Sequence, residues 1–134
     1  QLATSFADRM RSNSVQMRAP DSANPYLHVR YDGAADGAPA PVQMCRQGSS
    51  CDSAQLARFD IHELERELYA AFPGGRTVVC RDALVWDAAQ GRLSWDCTGG
   101  AADPVVIKLG WRSSDADDSS SGPMVAISVS GESS

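Results

Sequence analysis

Positive charge, histidine and long apolar runs are what this chain has least of. Its 134 residues carry 12 Lys and Arg against 17 Asp and Glu, a formal net charge of -5. That balance offers no basic footprint for a phosphate backbone or an anionic membrane surface, so nucleic-acid binding is not expected. No apolar stretch reaches the roughly eighteen residues needed to span a bilayer, and no signal-peptide pattern is present. Only two histidines, His28 and His62, are available to serve a nucleophile or a metal. His28 falls in an irregular segment and His62 on the polar side of a helix. GxSxG, HExxH, glycine-rich phosphate loops and paired carboxylates are all missing. These gaps argue against an enzyme, a cofactor or a small-molecule substrate. The length suits one domain, which at this size buries roughly two thirds of its unfolded surface.

Four cysteines are present, Cys45, Cys51, Cys80 and Cys97. Neither the CRQGSSC spacing nor the long gap after Cys80 gives a CxxC metal signature. An even count in a small Gly- and Ser-rich chain instead points to disulfides and an oxidising compartment. In the chain-entropy picture two such loops contribute about 2 and about 3 kcal/mol.

The best-defined segment is CDSAQLARFDIHELERELYAAFPGG, Cys51 to Gly75. Asp52 is placed to cap a helix, Gln55 to complete a capping box, and Pro73-Gly74-Gly75 to stop it, so a helix is expected over 52-72. Ala57, Ile61, Leu64, Leu68, Ala71 and Phe72 share one face at helical spacing, opposite Arg58, His62, Glu65 and Arg66. Leu56 and Phe59 lie off that stripe and become candidates for contact with a loop or a partner chain. Upstream, Leu2, Phe6 and Met10 recur every fourth residue, with Ala3 and Ala7 beside them. This reads as the end of an amphipathic stem helix over 1-13, and its abrupt start at Gln1 leads us to expect an upstream segment. Residues 14-50 read as a long loop rich in Pro and Gly, within which Tyr26 to Tyr31 alternates like a short strand or arm.

After Gly75 the pattern changes to strands over 76-130. Thr77 to Trp86 and Gly91 to Cys97 read as a hairpin around Asp87-Ala88-Ala89-Gln90. A centre between Ala88 and Ala89 sets Leu84 opposite Leu93 and Cys80 opposite Cys97, with Trp86 and Trp95 on the same face. That register predicts the pairs Cys80 with Cys97 and Cys45 with Cys51. Pro104 to Trp111 and Met124 to Ser130 each alternate one apolar face with a lighter one, as in a half-exposed antiparallel sheet. Trp86, Trp95 and Trp111 are expected in the core between sheet and helices. The whole reads as an α+β domain, two helices packed on about four antiparallel strands. In the polar loop between the last two strands Asp115, Asp117, Ser119 and Ser121 alternate as calcium ligands do. Ser120 and Ala126, however, stand where an EF-hand needs Gly and Glu, and a solvated loop tip is the better reading.

These segments together resemble the PilV-type minor pilins of type IV pili. The likeness is carried by ADRMRSN at Ala7 to Asn13, the Pro-rich loop with Tyr26, the set Cys51, Gln55, Asp60 and Pro73-Gly74-Gly75, and VCRD at Val79 to Asp82. It covers most of the chain through Asp82 and fades beyond. The resemblance implies a type IV pilin-like fold whose N-terminal helix is truncated here, and a non-catalytic subunit that takes part in priming pilus assembly and in the tip complex. It implies other minor pilins and a tip adhesin as partners, and membrane attachment through the missing helix before assembly. The expected location is the periplasmic face of the inner membrane and then the pilus. Leu2, Phe6 and Met10 would continue the stem and pack partly on the sheet, and they join Tyr26, Tyr31, Leu56 and Phe59 as partner-contact candidates. The alternatives are a type II secretion pseudopilin of the GspI kind and a free-standing periplasmic binding module.

Overall fold

A computed structural model describes residues 2-42, 44-45, 51-111 and 122-129. The first helix, α1 (Leu2–Ser12), is followed by the single turn α2 (Ser14–Met17). Two 3-10 turns, Asp21–Ala23 and Pro25–His28, lead into the short strand β1 (Arg30–Asp32) and the turn α3 (Gly33–Asp36). The long helix α4 (Ser53–Ala71) comes next, then β2 (Arg76–Arg81), a small hairpin of β3 (Trp86–Asp87) and β4 (Arg92–Leu93), β5 (Val105–Gly110) and β6 (Val125–Ser128).

The domain is α+β, with a four-stranded antiparallel sheet in the order β1-β2-β5-β6. Its strands differ from those the alternation predicts. The outer strand beside β2 is β1 from the long connection, while the hairpin forms a separate two-stranded sheet. The expected strand over Tyr26 to Tyr31 is a 3-10 turn through His28, and only Arg30–Asp32 is extended. Asn24 accounts for the change, since its side chain accepts from the Tyr26 N–H at 3.1 Å and Pro25 opens the turn.

Helix α4 starts and stops where local chemistry dictates. Asp52 Oδ1 accepts from the Gln55 N–H at 2.7 Å and Gln55 Oε1 accepts from the Asp52 N–H at 2.8 Å, a complete capping box. The helix ends one residue before Phe72, ahead of the Pro73-Gly74-Gly75 stop. Ala57, Leu64 and Leu68 are buried and Ile61 and Phe72 partly so, but Ala71 is exposed. From α1, Ala3, Phe6, Ala7 and Met10 join them against Val79, Val105, Ile107 and Leu109 of the sheet.

Both faces of the central strands are covered, contrary to the half-exposed sheet expected. Register puts Val79 opposite Ile107 and Thr77 opposite Leu109 on the helix side, and Val78 opposite Lys108 and Cys80 opposite Val106 on the other. All six residues of β5 are buried. The excursion from Asp82 to Pro104 folds across that second face. Gly110 permits it, because a β-carbon there would lie 2.8 Å from the Trp95 ring. Arg76, across from Gly110, stacks its guanidinium 4.2 Å from the centre of the same ring.

Candidate interaction surface

The excursion is held at three points. A disulfide joins Cys80 to Cys97, and a second joins Cys45 to Cys51, with Cα separations of 6.3 and 5.9 Å. The hairpin register that predicts these pairs is nevertheless absent. Trp86 pairs with Leu93 and Asp87 with Arg92, a shift of two residues, and Cys80 lies opposite Val106 in the main sheet. Asp87 causes the shift. Its carboxylate accepts from the N–H groups of Ala89 and Gln90, and Gly91 takes a φ of +67°, so the loop runs one residue further than assumed.

The second anchor is a buried ion pair. Lys108 and Asp82 are fully buried side chains, with Nζ 2.5 Å from Asp82 Oδ2. The ammonium also donates to the carbonyls of Ser94 and Asp96, each at 2.7 Å. Asp82 Oδ1 accepts from the N–H groups of Leu84 at 3.0 Å and Thr98 at 3.3 Å. Burial pushes the Asp82 carboxyl up, but Lys108 and these backbone donors outweigh it and hold it below the usual carboxylate value. One lysine thus ties the start of the excursion to the stretch that returns from the hairpin. The third anchor, outside the hairpin, is Arg81, which grips Asp21 with two bonds of 2.7 and 3.0 Å and donates to the Asp103 carbonyl.

A matching polar clamp joins the helices. Tyr26 Oη donates to Asp60 Oδ2 at 2.6 Å and accepts from Asn13 Nδ2 at 3.2 Å, while Arg9 lies 3.5 Å from Asp60 Oδ1. Asn13 also reaches the Ser53 carbonyl at 2.8 Å, tying the end of α1 to the start of α4. Burial, reinforced by the bond to Asp60, raises the Tyr26 hydroxyl; burial also raises Asp60. The Tyr26 ring meets Phe6 edge to face at 5.8 Å.

This placement corrects most of the partner-contact candidates. Tyr26 is 0% exposed, and Tyr31 and Phe59 are buried as well, so they present no surface. Phe6 and Met10 are likewise interior, while Leu2 and Leu56 are only partly covered. Two of the three tryptophans, Trp86 and Trp95, also depart from the expected place between sheet and helices. Trp86 is 52% exposed, Trp95 is half-buried over the sheet, and Trp111 stacks on Phe72 at 4.6 Å. His28 is exposed and its Nε2 lies 3.1 Å from the Asp21 carbonyl oxygen. His62 is partly buried on α4, rather than on an open polar face, with Nδ1 lacking a hydrogen-bond partner among the described residues. Asp115, Asp117, Ser119 and Ser121 lie outside the described residues. Among the described residues no group of three or more His, Cys, Asp or Glu is placed to hold a metal, and no helix is long and apolar enough to cross a membrane.

Among the described residues the large apolar side chains left exposed are Val15, Met44, Tyr69, Leu84, Trp86 and Met124, and of these Leu84 and Trp86 lie together at the hairpin. Leu84, 66% exposed, and Trp86 line one concavity of about 390 Å³ together with Asp87, Ala88 and Asp96. Sequence reasoning missed this surface because it assigned both apolar residues to a sheet face. Compared with protein-family models, curated proteins and solved structures, the chain matches none.

Proposed function

We propose that the chain is the head of a minor pilin, a non-catalytic subunit of pilus assembly. The observation that carries this is the docking of α1 along the sheet beside α4, with Ala3, Phe6, Ala7 and Met10 of α1 buried. A helix seated in this way gives a head that is rigidly joined to its stem. The resemblance motif adds support, because three of its members have structural tasks on or beside α4. Cys51 bonds Cys45 just before α4, Gln55 closes the capping box, and Asp60 receives Tyr26. On this proposal the partners are other minor pilins and a tip adhesin, and the location is the inner membrane and then the pilus.

Deleting the gene in its source organism tests the proposal. Loss of surface pili by electron microscopy, restored by the gene in trans, is the expected result. Intact pili with lost protein secretion would instead assign a GspI-type pseudopilin role, and no change in either would overturn the proposal.

A further inference from the structure

We propose that the concavity at the β3–β4 hairpin is a docking site for a cationic apolar segment of a partner protein, one that places a large apolar side chain next to Lys or Arg. Leu84 and Trp86 are the adjacent apolar walls, 66% and 52% exposed. Single exposed apolar residues are ordinary, but two on one short loop that line the same hollow form a contiguous patch. The charge of the hollow selects the partner. Asp87 and Asp96 stand in its lining, and neither forms an ion pair among the described residues. Asp82, the remaining acid, is neutralised by Lys108, and the hairpin's Arg92 donates to Gln90 instead. Gln90 bridges Arg92 to the Asp87 carboxylate, but no cation contacts the Asp87 or Asp96 carboxylate directly among the described residues, so the apolar walls stand beside net negative charge, complementary to a cationic apolar segment and unfavourable to an acidic one. The site is also rigid before binding, since the Cys80–Cys97 bridge, the Lys108 bonds to the Ser94 and Asp96 carbonyls, and the Asp87 turn fix its walls. Pre-ordered walls reduce the entropy lost on association. The site belongs to this surface whichever assembly the chain serves.

Two blocked ten-residue peptides test the idea, one with leucines between lysines and one with glutamate at every lysine. Binding to the intact, oxidised chain is followed by anisotropy of a peptide label. The lysine peptide is expected to bind, more weakly as salt rises, and the glutamate peptide at least about tenfold more weakly. Trp86→Ala and Leu84→Ser should each weaken the lysine peptide by about tenfold or more, from the apolar area lost. Both positions are exposed, so thermal midpoints should hold, and Tyr69→Ser on exposed α4 surface serves as the unaffected control. No binding of the lysine peptide, equal binding of both peptides, or full binding by Trp86→Ala would each overturn the proposal. Sedimentation that shows a dimer broken by Trp86→Ala would also overturn it, giving the site to a second copy.

Discussion

Replacing Lys108 by methionine removes one charge while keeping most of the side-chain volume, and its cost follows from the groups left behind. Asp82 loses its counter-ion inside the protein, and the carbonyls of Ser94 and Asp96 lose their donor. Removing one member of a buried pair costs about 3–5 kcal/mol, largely because the other charge stays buried without compensation. Against a total stability of about 5–15 kcal/mol this is a large loss. Urea unfolding followed by tryptophan fluorescence measures it directly. The pH dependence should invert as well. In the wild type Asp82 is held below its ordinary value, so its contribution is present above about 3.8 and fades as pH falls through the lower folded value. In Lys108→Met the unpaired, buried carboxyl is pushed above that ordinary value, and stability should rise as pH falls from neutrality. The double variant with Asp82→Asn, whose side-chain oxygen can still accept from Leu84 and Thr98, should lose less than the two single variants summed. A cost under about 1 kcal/mol with an unchanged pH slope would refute the assignment of Lys108 as the organiser of the excursion.

Tyr26→Phe strips the donor from buried Asp60 and the acceptor from Asn13, and should cost about 1–3 kcal/mol in the same urea assay. Glu65, raised to about 6 by burial and then by Asp36, lowers stability at neutral pH, because the folded state prefers the protonated form. That stabilising preference is fully present below the unfolded value near 4.5 and is lost as pH rises through about 6. Glu65→Gln should therefore stabilise by about 1 kcal/mol at pH 7 and flatten the slope between pH 4.5 and 6, as read from thermal midpoints. Cys80→Ala with Cys97→Ala should cost about 3 kcal/mol and Cys45→Ala with Cys51→Ala about 2, since the sequence separations are 17 and 6.

How far the sequence discloses this structure depends on the range of each interaction. The α4 helix is legible because Asp52, Gln55 and Pro73 act within one turn of its ends. The antiparallel sheet is legible in number of strands but not in membership, because β1 is too short to stand out and the Thr77 to Trp86 pattern conceals a break at Asp82. The cysteine pairs emerge from a register that does not exist. Cys80 and Cys97 meet because the excursion turns back over the sheet. Lys108 looks like a solvent-facing residue in an alternating strand, and nothing local reveals the carbonyls fourteen and twelve residues away that it binds. Tyr26 is misread for the same reason, since Phe6 of α1 and Asp60 of α4, which meet it, are distant in sequence. The Leu84 and Trp86 surface is hidden by its own apolar character, which reads as core until the chain around it is folded.

Shearing surface filaments from the source organism and identifying their subunits by mass spectrometry tests the proposed role in pilus assembly. Peptides of this chain are expected in the filament fraction, far less abundant than the main subunit. Their absence from filaments that assemble normally without the gene would contradict that role.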